Sequence, residues 1–140
     1  MTNDFGVDFA AELTEYFASG TDVTAPPATV YVTLYDDQGN ELNGSLQNGR
    51  VGLAVGGDIQ QGADTTQFSN AVEVNFGEVI GGSTITVQEF ALKDSDADDA
   101  TAVEFFRTDI TDAPQDFADG TRVFFEPGEL TVNILDQTND

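Results

Sequence analysis

Residues 117–135 hold two short apolar runs, Val123 to Phe125 and Leu130 to Leu135, split by Glu126, Pro127 and Gly128. Proline presets φ for the second position of a turn and glycine tolerates the positive φ of the third, so the chain must reverse direction there. In the second run Leu130, Val132 and Ile134 alternate with Thr131, Asn133 and Leu135, the period of a strand with one buried face. The stretch predicts a β-hairpin. A chain built from such short alternating runs is confined to the all-β classes.

The same pattern recurs upstream. In Thr29 to Tyr35, Val30, Val32 and Leu34 share one face and Tyr31, Thr33 and Tyr35 the other. Asp36 to Asn40 supplies a turn, and the polar, Gly- and Asn-rich Glu41 to Gly49 reads as a loop. Val51, Leu53 and Val55 alternate with Gly52, Ala54 and Gly56, which predicts a strand whose second face is closely approached by other backbone. A short element around Thr66 to Ser69 precedes Ala71 to Phe76, with Val72, Val74 and Phe76 on one face. In Thr84 to Leu92 the phase changes from Ile85 and Val87 to Phe90 and Leu92, which a bulge near Gln88 and Glu89 would reconcile. Thr101 to Ile110 completes a long hairpin with it, tipped by Asp94, Asp96, Asp98 and Asp99.

Only one segment has helical spacing. Phe9, Leu13, Tyr16 and Phe17, with Phe5 one turn earlier, form an apolar stripe between Asp8, placed to cap the first amides, and Gly20, placed to end the helix. Ala25, Pro26 and Pro27 then hold the connector extended. These elements predict a mainly β, single-domain fold over 1–140: an antiparallel β-sandwich, or a barrel, of about seven or eight strands with one short N-terminal helix at about residues 8–18.

Charge narrows the function classes. Twenty-six acids, seventeen of them Asp, face Arg50, Lys93, Arg107 and Arg122, for a net charge of −22. Nucleic acid and anionic membranes require basic patches, so neither is an expected partner. Self-repulsion on this scale is relieved when salt shortens the Debye length, which suggests a halophilic setting. Fourteen aromatic residues, 11 Phe and 3 Tyr, and the repeated β-branched runs separate the chain from disordered acidic segments. The first residues lack the basic and apolar regions of a signal peptide, and no apolar run is long enough to span a bilayer. Arg107 and Arg122, set among apolar residues, are expected to form structural ion pairs or subunit contacts.

Catalytic chemistry finds no foothold. With no Cys and no His, thiolate sites, histidine bases and histidine triads are all unavailable. Asp94, Asp96 and Asp98 begin like a calcium loop, but the position that needs Gly is Asp99 and the position for the bidentate Glu is Phe105. A solvated acidic hairpin tip is the simpler reading, and no cofactor is expected. Gly56 with Gly57, and Gly81 with Gly82, lack the Lys and following helix of a phosphate loop. Nothing singles out one carboxylate pair for glycoside hydrolysis.

The aromatic helix from Phe9 to Phe17, the segment Ala25 to Tyr35, the strand Thr84 to Leu92 and above all the ending Asp119 to Ile134 resemble a family of small tailed-virus virion proteins, described as phage tail-fibre or minor structural proteins. The acidic insertion Asp94 to Asp99 and the lack of Trp before the Ile85 strand depart from that family's pattern. The resemblance implies a non-enzymatic virion component without cofactor. With the acidic composition it suggests a tailed virus of a halophilic archaeal host. The expected role is a symmetric trimer, pentamer or hexamer on the tail or capsid surface, as tail fibre, turret or decoration, contacting other virion proteins and the host surface. Phe5, Phe9, Leu13 and Phe17 are the expected assembly residues. The alternative is a cation-assisted glycan-binding or adhesion module.

Overall fold

A computed structural model describes residues 5–96 and 102–134. One α-helix, α1 (Val7–Ser19), precedes eleven strands among the described residues. They are β1 (Thr29–Tyr35), β2 (Arg50–Ala54), β3 (Ile59–Gln61), β4 (Gln67–Asn70), β5 (Val74–Glu78), β6 (Ile85–Val87), β7 (Glu89–Lys93), β8 (Glu104–Asp109), β9 (Gln115–Phe117), β10 (Arg122–Phe125) and β11 (Thr131–Asn133). The count exceeds the expected seven or eight because β3 and β9 are three-residue pieces too short for alternation to reveal, and because one predicted strand divides into β6 and β7.

One layer is a four-stranded antiparallel sheet in the order β2-β1-β7-β8. Against it lie three smaller antiparallel ladders, β10-β5, β11-β4-β3 and β6-β9. The arrangement is sandwich-like and does not close into a barrel. Val30, Val32, Leu34, Leu53, Phe90, Leu92 and Phe105 of the large sheet share one core with Val74, Phe76, Val123, Phe125 and Val132 of the ladders. Phe76 and Phe125 meet edge to face at 6.1 Å between centroids. In β1 this core is what alternation predicts, Val30, Val32 and Leu34 being all buried, whereas Val55 and Val72, aligned with buried faces by the same pattern, are exposed, and Leu42 and Leu46 enter the core from the segment read as a loop.

Two sequence expectations are corrected by pairing. The predicted terminal hairpin is not one: β10 pairs with β5, whereas β11 pairs with β4. The Glu126 to Gly128 turn exists, with Glu129 N–H donating to the Glu126 carbonyl and Gly128 at φ 87°, but it is a corner between ladders. Asn70 holds that corner. Its amide nitrogen donates to the carbonyls of Val72 (2.8 Å) and Glu126 (2.9 Å), and its Oδ1 accepts from Leu130 N–H (3.0 Å). The second correction concerns Gln88. The phase change is absorbed by a change of sheet, β6 pairing with β9 and β7 with β1, and Gln88 is bonded through its N–H to the Tyr35 carbonyl and through its carbonyl to Ile110 N–H. The register irregularities fall elsewhere, at Leu92/Lys93 and Val123/Phe124.

The outer face of the large sheet is unexpectedly dry. Thr33 and Tyr35, assigned by alternation to the polar side, are buried. A layer of ion pairs covers them. Glu41, from the loop after β1, accepts from Arg50 Nε (2.8 Å), Arg50 Nη2 (3.0 Å) and Thr33 Oγ1 (2.5 Å), with Lys93 Nζ at 3.8 Å. Arg107 pairs with Glu89 (3.0 Å) and Glu104 (3.6 Å), and its guanidinium lies 3.6 Å from the Tyr35 ring centroid. Beside them a Cβ placed on Gly52 would press on Thr29 and the Tyr31 ring, so it is side chains, and not backbone, that approach closely there.

Candidate assembly surface

Helix α1 is attached by its beginning. Gly6 is the N-cap, with no side-chain cap, and Asp8 sits inside the first turn, where a negative charge still favours the helix dipole. Gly6 N–H donates to the Phe105 carbonyl at 2.8 Å, and Phe5 forms a β-bridge with Phe106, extending the large sheet beyond β8. Phe5 packs tilted on Phe106 at 5.5 Å, and Phe9 meets Phe106 (6.4 Å) and Phe105 (5.2 Å) edge to face. The aromatic stripe is thus spent, at this end, on the protein's own sheet. Gly20, in the left-handed region at φ 73°, closes the helix by donating to the Tyr16 carbonyl, as its position in the sequence predicts.

The attachment leaves no room at Gly6, where a Cβ would collide with the Glu104 backbone carbonyl. Changing Gly6 to Ala must displace the helix start or β8, at a cost of about 1–3 kcal/mol for overpacking. Hydrogen exchange should then show lost protection in residues 6–12 while β1 and β7 stay protected. Uniform protection in the variant would refute this mode of docking.

The far end of the helix stands away from the sheet. Four-residue steps along a helix overshoot one turn by about 40°, so Phe17 is rotated about 80° from Phe9. Leu13 is half-buried between them; Phe17 is 82 % exposed and Tyr16 45 %. Their rings touch each other edge to face at 5.4 Å. Of the four residues expected on one assembly stripe, Phe5 and Phe9 pack internally and Phe17 points outward. Glu12 accepts from Thr24 N–H at 2.6 Å, tying the helix to the connector that follows.

That connector brings Pro26 to the open end of the sandwich, above a groove of about 220 Å³. Val30, Leu92 and Phe105 form its wall on the large sheet, Ile59 and Phe68 the opposite wall, and Val55 and Phe106 its rim; all eight lining residues, Pro26 included, are apolar. Phe106, which carries the helix start, also meets Phe68 across the opening at 5.2 Å. A second depression of about 280 Å³ shares Val55, Ile59 and Phe68 and ends at Ile134, itself 38 % exposed. Periodicity assigns Val30 and Leu92 to buried strand faces but gives no strand at Ile59. It could not show that the two layers part here.

Electrostatics isolate the apolar features. Of the chain's four cations, Arg50, Lys93 and Arg107 are paired within the ion layer. The fourth, Arg122, is exposed, with its guanidinium 4.2 Å from the Phe124 centroid: within the chain it lies over a ring, where the sequence predicts an ion pair. The rest of the surface is dominated by carboxylates. At the acidic tip Asp94 accepts from Val103 N–H at 2.9 Å, closing the β7–β8 turn; Asp98 and Asp99 lie outside the described residues. Among the described residues no group of three or more carboxylates converges on a metal-sized space, and no helix is long and apolar enough to cross a membrane.

A family model described as "Podophage GP4 fiber I protein gp80" matches residues 8–133, from the first turn of α1 to the end of β11. No curated protein matches the chain. Because the match takes in helix, large sheet and ladders together, the chain belongs to the podophage GP4 fiber I protein gp80 family of phage fibre proteins.

Proposed function

We propose that this protein is a non-enzymatic, fibre-type structural component of a tailed-virus virion. It assembles as a symmetric homo-oligomer, contacts other virion proteins and presents its acidic face to the surroundings of the host cell. The observation that carries this reading is the family match across residues 8–133. The exposed aromatic end of α1 supports self-assembly, because such a feature has no role in the packing of its own domain. The net charge of −22 supports a halophilic host.

Two measurements test it. Mass spectrometry of density-banded particles of the virus that encodes the chain should find the protein in fixed stoichiometry with the tail proteins, and antibody labelling should decorate tails. Protein found only in the unbanded lysate would refute a virion role. For the halophilic reading, raising salt from about 0.1 M to about 1 M shortens the Debye length from about 10 to about 3 Å. The purified protein should then melt at a clearly higher temperature, and an unchanged transition would count against a high-salt origin.

A further inference from the structure

Resting on the self-assembly reading above, we infer that the groove at the open end of the sandwich is the receptor for the helix tip of a second copy, with Phe17 of one chain seated between Val55, Ile59, Phe68 and Phe106 of the next. Three observations converge on that occupant. The first is size: a pocket of about 150 Å³ suffices to take a benzene ring, and the groove holds about 220 Å³. Phe17 is the most exposed large apolar side chain among the described residues, on a helix end that stands clear of its own sheet.

The second is charge. Two copies that each carry −22 repel one another over most of their surfaces. The groove lining has no charged residue, and neither has the tip from Tyr16 to Gly20. A basic partner would be drawn to the carboxylates and would gain nothing from this uncharged opening, whereas a like-charged copy can approach best where charge is absent.

The third is area. An aromatic side chain buries about 150–250 Å², so Phe17 and Tyr16 alone fall short of the roughly 1,200–2,000 Å² of a standard interface. The neighbouring depression, with Val55 and Ile134 half-exposed at its edges, extends the apolar footprint beside the groove. The aromatic tip is then the anchor of a larger contact. Because knob and groove are different surfaces of one chain, the contact is head to tail, and it propagates as a ring or an open fibre according to the rotation it imposes.

The chain has no cysteine, so the contact can be read by directed disulfides. Mixing F17C with V55C protein under mild oxidation should give a crosslink that joins position 17 of one variant to position 55 of the other, identified by peptide mass spectrometry. Phe17→Asp should weaken self-association by about 30-fold or more, the effect of losing an aromatic anchor, with an unchanged circular dichroism spectrum. Crosslinks confined to pairs of F17C chains, or an oligomer that survives Phe17→Asp, would overturn this contact and leave self-assembly standing. A wild-type chain that stays monomeric at high concentration and at any salt would overturn both.

Discussion

Glu41→Ala is expected to destabilise the protein by about 3–5 kcal/mol, the cost of removing one member of a buried ion cluster. The Glu41 side chain is 14 % exposed and that of Arg50 only 3 %. Without the carboxylate, Arg50 keeps its bond to the Ser95 carbonyl (2.8 Å) but loses both contacts of a two-pronged pair, and the buried Thr33 hydroxyl loses its acceptor. Glu41→Gln separates charge from packing, because the amide fills the same space and can still accept from one donor. It should fall between wild type and alanine in denaturant midpoint.

The pH dependence has a defined sign. Burial works against ionisation of Glu41, but hydrogen bonds from Arg50 and Thr33 and the charges of Arg50 and Lys93 outweigh it, so the carboxyl lies below its ordinary value of 4.5. A group lowered on folding contributes stability above its unfolded value and loses it as pH falls through the folded one. Wild type should therefore weaken below about pH 4.5, and Glu41→Gln should lack that part of the acid limb. Glu104 works in the opposite sense. Burial raises its carboxyl despite Arg107 and Lys93, with Asp8 and Glu89 adding to the rise, so its contribution is present at low pH and is lost as pH rises through its folded value. Equal acid sensitivity in wild type and Glu41→Gln would exclude Glu41 as the source.

Local pattern carried the reading of this chain as far as local pattern reaches. The alternation in β1, the aromatic spacing of α1 and the Gly20 stop are properties of a few adjacent residues, and they correspond to the observed elements. Pairing is not local. Glu126, Pro127 and Gly128 dictate a reversal but not whether the strands on either side join each other, and here they go to β5 and β4. Gln88 shows the same limit: one residue between two phases fits a bulge as well as a change of sheet. Glu41 gave no signal at all, lying in a polar stretch whose composition says loop, although three cations of a cation-poor chain cluster around the strands it covers. Phe17 was legible in part, because the 40° drift of four-residue steps already separates it from Phe9. The groove was not, since it is a gap between residues distant in sequence.

Asn70→Asp, a change of one side-chain group, should lower stability by about 3 kcal/mol or more at neutral pH, since it puts an unpaired charge in a buried position and turns donors into repulsion. Asn70 is 2 % exposed. Its amide nitrogen serves two carbonyls, Val72 and Glu126, that an ionised carboxylate would face oxygen to oxygen; only the bond from Leu130 N–H would persist. The damage is to the corner between β10 and β11, where the Gly128 N–H also donates to the Asn70 backbone carbonyl at 2.8 Å. Asn70→Ala removes the same bonds without adding charge, and each buried group left unmade costs about 1–3 kcal/mol. The two variants diverge with pH. Burial beside carbonyl oxygens raises the introduced carboxyl in the folded state, and the neutral acid supplies one donor, so Asn70→Asp should regain stability between about pH 7 and pH 5. Asn70→Ala has nothing to titrate and should keep a constant deficit over that range. Denaturant midpoints at the two pH values decide the matter: parallel behaviour of the two variants would mean that the amide does not hold the corner through its donors.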